Sequence, residues 1–84
     1  MRAVIWRDTA RDELADDIVR ADLPTQELIA RQVEALNRRL AIDPLNEGES
    51  RTGRVRIAFA DPVGILFTVS QTDQIVWVTH FWTY

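Results

Sequence analysis

Arg54-Val55-Arg56-Ile57-Ala58-Phe59-Ala60, then Asp61-Pro62-Val63-Gly64, then Ile65-Leu66-Phe67-Thr68-Val69, is the stretch on which the fold turns. The first segment alternates, with Val55, Ile57 and Phe59 on one side and Arg54, Arg56, Ala58 and Ala60 on the other. That is the pattern of a half-buried strand with arginines on its open face. The turn that follows sets the register of the next strand. A two-residue loop would set Ile65, Phe67 and Val69 opposite the arginines, whereas a three-residue turn with Gly64 left-handed in a bulge sets them opposite Val55, Ile57 and Phe59. The three-residue turn is the expectation, because the Pro62 ring presets φ at the first central position and Gly64 has no Cβ to clash.

Working outward, Ile75 to Phe81 or beyond reads as a third strand that is apolar on both faces. Such a strand is central, covered on both sides, or lines a pocket. Before residue 54 the pattern is helical. After a short strand around Arg2 to Arg7, Asp8 or Thr9 can cap a helix with acidic residues in its first turn, as the helix dipole favours. Ala10, Leu14, Ile18 and Ala21 give it a narrow apolar stripe. Asp22-Leu23-Pro24 breaks that helix, and Pro24 or Thr25 opens a second, in which Ile29, Val33, Leu36 and Leu40 recur at helical spacing. Asp43-Pro44 stops it, and residues 43–53 form a polar loop. Two amphipathic helices in a hairpin need an apolar sheet face to cover. The expected fold is therefore α+β, in the order β-α-α-β-β-β, with the N-terminal strand and helical hairpin on one face of a mainly antiparallel four-stranded sheet.

Eighty-four residues make a single domain, 1–84. With no cysteine and one histidine, neither a disulfide framework nor a clustered metal site is expected, and no cofactor is implied. No long apolar run or secretory leader is visible, so a soluble cytoplasmic protein without membrane contact is the expectation. The net charge of −3 is unevenly spread. Residues 1–50 hold eleven acids against seven arginines, and residues 51–84 hold three arginines against two acids. Every basic residue other than the histidine is arginine, which a GC-rich genome accounts for first, although guanidinium is also a better bidentate phosphate ligand than the lysine ammonium.

The element order, the loop Asp43-Pro44-Leu45-Asn46-Glu47-Gly48-Glu49-Ser50-Arg51, the strand Arg54 to Phe59 and the ending Ile75-Val76-Trp77-Val78-Thr79-His80 resemble the RelE/ParE toxin superfamily, including proteins labelled plasmid stabilisation. The resemblance covers nearly the whole chain. It implies a toxin held inactive by a cognate antitoxin. RelE-like members cleave mRNA on the ribosome without a metal, and ParE-like members poison DNA gyrase; ribosome-dependent endoribonuclease (mRNA interferase) activity is the first expectation and gyrase inhibition the alternative. It also places Arg51, Arg54 and Arg56 where the family keeps nucleic-acid-binding cations. The catalytic candidates it implies are His80, Arg56, Tyr84 and, from a loop of unknown orientation, Glu49.

Two departures bear on that expectation. The chain is acidic, whereas phosphate contact supplies much of the affinity of nucleic-acid proteins. After His80 the family often continues Arg-Arg, but here the chain reads Phe81-Trp82-Thr83-Tyr84. Both also fit an inactive toxin-fold module that only binds its antitoxin in an apolar groove, and a homodimer stays open. Plainer roles stand beside the functional ones: a hydrogen-bonded His80 at the core edge, a solvated arginine face, Arg51 paired with Glu47 or Glu49, a frayed Tyr84, and Asp12, Glu13, Asp16 and Asp17 as a solvated helix face.

Overall fold

The computed structural model describes residues 1–70, 72 and 74–84. Strand β1 (Ala3–Trp6) leads into helix α1 (Asp8–Arg20) and helix α2 (Leu23–Ile42). A short 3-10 turn at Pro44–Asn46 precedes strands β2 (Glu49–Ser50), β3 (Val55–Ala60), β4 (Val63–Val69) and β5 (Ile75–Thr83). The α+β architecture is as the sequence implies, but the sheet has five strands, in the order β1-β5-β4-β3-β2. The extra strand is the two-residue β2, too short to leave a periodic trace. Only β1 and β5 run parallel.

The helices follow their stripes. Ala10 is buried on α1, and Ile29, Leu36 and Leu40 are buried on α2, with Leu14, Ile18, Ala21 and Val33 packed against the same core. The N-cap of α1 is Arg7 rather than Asp8 or Thr9, with no side-chain bond, and Asp8 becomes the first helical residue, where its charge still suits the dipole. Asp22 caps α2 by accepting the Thr25 amide at 2.9 Å. Hydrogen bonds from the Thr25 side chain and backbone hold its carboxyl below the usual carboxylate range.

The turn between β3 and β4 overturns the expected register. Ala60 pairs with Val63, so the loop is the two residues Asp61 and Pro62, joined by a cis peptide. Ala58 therefore pairs with Ile65 and Arg56 with Phe67. Ala58 and Ala60 face the helices, whereas Val55, Ile57 and Phe59 lie on the other face, and Phe59 is 48% exposed. Arg56 shares the helix-bearing face and is covered there by the Glu47–Ser50 segment instead of a helix. The physical reason is side-chain volume. β4 and β5 supply large apolar groups to the core (Val63, Ile65, Phe67, Val69, Val76, Val78 and Phe81), so β3 needs only alanines beneath the helices.

Gly64 is needed for another reason than the left-handed bulge expected of it. It sits inside β4 opposite Trp82, and the left-handed glycines are Gly48 and Gly53. A Cβ on Gly64 would lie 2.5 Å from the Trp82 ring, so glycine lets the indole lie flat on the strand. Strand β5 is second from the edge, with helices on one face and an aromatic group on the other. There Phe59 meets Trp82 and Tyr84 edge-on, at 6.1 and 5.7 Å between centroids.

Gly64→Ala should cost about 1–3 kcal/mol through overpacking, read as a lower midpoint in thermal unfolding, and Trp82→Leu in the same chain should restore most of it. Asp22 gives a pH test. Because its folded pKa is lowered, its contribution is present above the ordinary value of 3.8 and is lost as pH falls through the lower folded value. The midpoint gap between the protein and Asp22→Ala should therefore be full at pH 7 and close under strongly acidic conditions.

Candidate functional site

At the end of the sheet away from the Asp61-Pro62 turn, Leu45, Ser50, Gly53, Arg54, Arg56 and Val69 line a recess of about 200 Å³. It is built locally. The amide of Arg51 donates to Val55 O at 2.7 Å and that of Val55 to Thr52 O at 3.1 Å, a tight reversal that Gly53 makes with φ 62°. Arg54 leaves this turn exposed, and Arg56 follows one pleat later on the same side.

The two arginines differ. Arg56 donates from Nε to Glu47 O at 3.0 Å, from Nη2 to Gly48 O at 3.2 Å and from Nη1 to Ser50 Oγ at 3.4 Å. Three of its five N–H groups are thus used in holding the loop. Glu47 is itself gripped by Arg39, whose Nε and Nη2 reach Oε2 at 2.9 and 2.6 Å. Arg39 on α2, Glu47 in the loop and Arg56 on β3 form one chain of contacts that shapes the recess. Arg54 and Arg51 make no side-chain bond among the described residues, so their guanidinium groups are available to a ligand. The expected pairing of Arg51 with Glu47 or Glu49 does not form, because Glu47 is taken by Arg39.

The remaining candidates lie elsewhere. Glu49 pairs with Ile57 and Ser50 with Arg56, so strand alternation turns Glu49 to the face opposite the recess. His80 aligns with Leu66, two strands from Ile57 and so about 10 Å across the sheet. Its Nδ1 lies 3.2 Å from Glu13 Oε1, which also accepts the Phe81 amide at 3.2 Å. Tyr84 lies at the turn end of the sheet, with its amide donating to Pro62 O at 2.9 Å and its ring against Phe59. It is held, not frayed, and the length of β3 separates it from Arg54.

The acidic cluster of α1 divides in two. Asp12 and Asp16 are exposed as expected, but Glu13 and Asp17 reach β5, where Asp17 accepts from the Thr83 hydroxyl at 3.1 Å. Past Trp6, β1 no longer covers β5, and these carboxylates satisfy part of the bare edge. A signal for this was present: Glu13 and Asp17 are each one residue before a stripe position, Leu14 and Ile18. Nothing in the sequence marks Arg39. The Glu13 carboxylate beside His80 repels phosphate and makes its surroundings unlike those of the recess. Among the described residues no three of His, Cys, Asp and Glu gather as a metal site, and no helix is long and apolar enough to cross a membrane.

Solved structures share this arrangement over its full length. One chain of the RelBE2 toxin–antitoxin complex from Mycobacterium tuberculosis superposes with a TM-score of 0.75 at 19% identity, covering 99% of this chain and 98% of that one. The fold is that of a chain in this toxin–antitoxin complex. A chain of the chromosomal ParDE toxin–antitoxin system from P. aeruginosa gives a TM-score of 0.72 at 14% identity, covering 99% and 96%. No family model matches the sequence, and no curated protein matches it significantly. At these identities backbone topology is what is shared.

Within this fold the two recess arginines should separate on mutation. Arg56→Ala leaves two loop carbonyls without a donor and should cost about 1–2 kcal/mol, or about 4–16 °C in thermal midpoint for a domain of this size. Arg54→Ala should shift it by no more than about 4 °C, as surface substitutions do. Equal losses in the two variants would overturn the distinction.

Proposed function

We propose that this protein is the toxin of a toxin–antitoxin pair, and that it meets its target through the Arg54 recess. The observation that carries this reading is a guanidinium with no partner among the described residues, at the mouth of a concavity, beside a second one already fixed in place, on a fold shared with chains of two toxin–antitoxin complexes.

In the first reading the target is mRNA on the ribosome. Metal-free cleavage joins the 2′-oxygen to the adjacent phosphorus as the bond from phosphorus to the 5′-oxygen breaks. The 2′-OH loses a proton and the leaving oxygen gains one. Arg54, Arg51 and the remaining N–H groups of Arg56 would hold the phosphate as its charge rises. A second reading, inhibition of DNA gyrase without bond cleavage, is favoured by a specific observation: among the described residues no carboxylate, imidazole or phenol lines the recess, and His80 and Tyr84 are engaged elsewhere. In either case a cognate antitoxin is the protein partner.

Inducing the chain alone in a bacterial host, while following labelled amino-acid and thymidine uptake, separates these readings. Amino-acid incorporation should fall first, and Arg54→Ala should restore growth at an unchanged thermal midpoint. Thymidine falling first would assign the target to gyrase. Normal incorporation of both, with folded protein present, would remove the toxin reading and leave an antitoxin-binding module.

A further inference from the structure

The face of the sheet turned away from the helices is covered by no element among the described residues, and most of its side chains are apolar. Strand register sets them in three rows. Phe59, Gly64 and Trp82 form the row at the turn end, Ile57 and Leu66 the middle row beside Thr79 and His80, and Val55, Thr68, Trp77 and Ile5 the last. Four strand spacings of about 4.8 Å by a strand length of about 20 Å give a projected area of roughly 400 Å², the size at which an exposed apolar patch marks an interaction site. β4 is the third of the five strands, and the aromatic and branched side chains of β3 and β5 flank it on either side. The middle row ends in opposite charges. One residue past the Trp6–Val78 pair, Arg7 stands at the β1 edge, its guanidinium 4.1 Å over the Trp77 ring and so held on this face. At the β2 edge Glu49, paired with Ile57, turns to the same face and has no side-chain bond among the described residues.

We infer that this face binds a second copy of the chain, sheet against sheet, about a twofold axis that runs along β4. Such an axis keeps each row at its own level and exchanges the two edges of the sheet. Arg7 of one protomer then meets Glu49 of its partner, Phe59 meets Trp82, and Val55 meets Trp77. An axis across the strands would instead set β1 over β1 and bring Arg7 to Arg7 and Glu49 to Glu49, so charge selects the orientation. Charge also selects the occupant: a ligand of one sign matches one end of the middle row, whereas a second copy matches both. Packed sheets lie about 10 Å apart and cross at about 30°, a rotation that the long Arg7 and Glu49 side chains at the edges can follow. The Arg54 recess opens beside Arg56 on the helix-bearing side, so this pairing leaves it free. The inference goes beyond the toxin reading and does not use it.

Sedimentation equilibrium of the whole protein, from about 1 μM to about 1 mM, should show a monomer and dimer in exchange. Arg7→Glu and Glu49→Arg should each weaken dimerisation about tenfold or more, and the two together should recover it to within about threefold, with circular dichroism unchanged throughout. The chain has no cysteine, so Thr68→Cys supplies one thiol per copy close to the axis. A short bismaleimide should link that variant into a dimer and leave Arg31→Cys, on the exposed side of α2, monomeric. If Arg7→Glu does not fold, Glu49→Arg and the cross-link carry the test. A monomer at millimolar concentration, a dimer indifferent to the charge reversals, a double variant that does not recover, or equal cross-linking from α2 would each overturn the inference. So would a monomer whose tryptophan fluorescence responds to oligouridylate, which would give the face to stacked bases. None of these readouts depends on toxicity: a dimer that fails to arrest growth would remove the toxin reading and keep this surface.

Discussion

Pairing of Ala58 with Ile65 and of Arg56 with Phe67 decides which side of β3 meets the helices, and most of the molecule follows from it. Strand side chains alternate, so a slip of one residue would exchange the two faces of β3 completely. With this register the core beneath the helices is large on β4 and β5 and small on β3. The same register carries Arg56 to the helix-bearing side, where the Glu47–Ser50 segment closes over its guanidinium, and carries Phe59 to the far side, where it meets Trp82 and Tyr84. One choice of loop length therefore builds the recess at one end of the sheet and the aromatic group at the other.

The charge distribution acquires a purpose at the sheet edges. Acids of α1 serve the half of β5 beyond β1, arginines line the recesses beside the outer edge of β1, and the arginine recess opens near the short β2. A net charge of −3 describes none of these places. The surface is a set of local fields of opposite sign, each screened within about 10 Å at ordinary salt, so an acidic chain can still offer a basic contact to an anionic partner.

The candidate site was only partly legible in the sequence. Arg54 and Arg56 were visible as neighbours on one strand face, and the structure keeps them together. Their division into a free group and a loop clamp depends on Glu47, which is held by Arg39 from the last turn of α2, eight residues earlier. His80, Glu49 and Tyr84 share the last part of the chain or a nearby loop with the arginines, yet strand alternation and strand order send them to separate places. Proximity in sequence says little across a sheet, where one pairing step moves a residue about 4.8 Å sideways and one pleat reverses its direction.

The sequence by itself determined the element types and their order, the two helix stripes, the break at Asp22-Leu23-Pro24 and the stop at Asp43-Pro44, because these depend on periodicity and on neighbours within four residues. Tertiary structure alone decided the two-residue turn, the helix-facing alanines of β3, the fifth strand and the contact of Glu13 with His80 and Phe81. These depend on which volumes fill one shared core and on which backbone edge is left bare after the strands have paired. Both are properties of the assembled sheet, and no local stretch of the chain carries them.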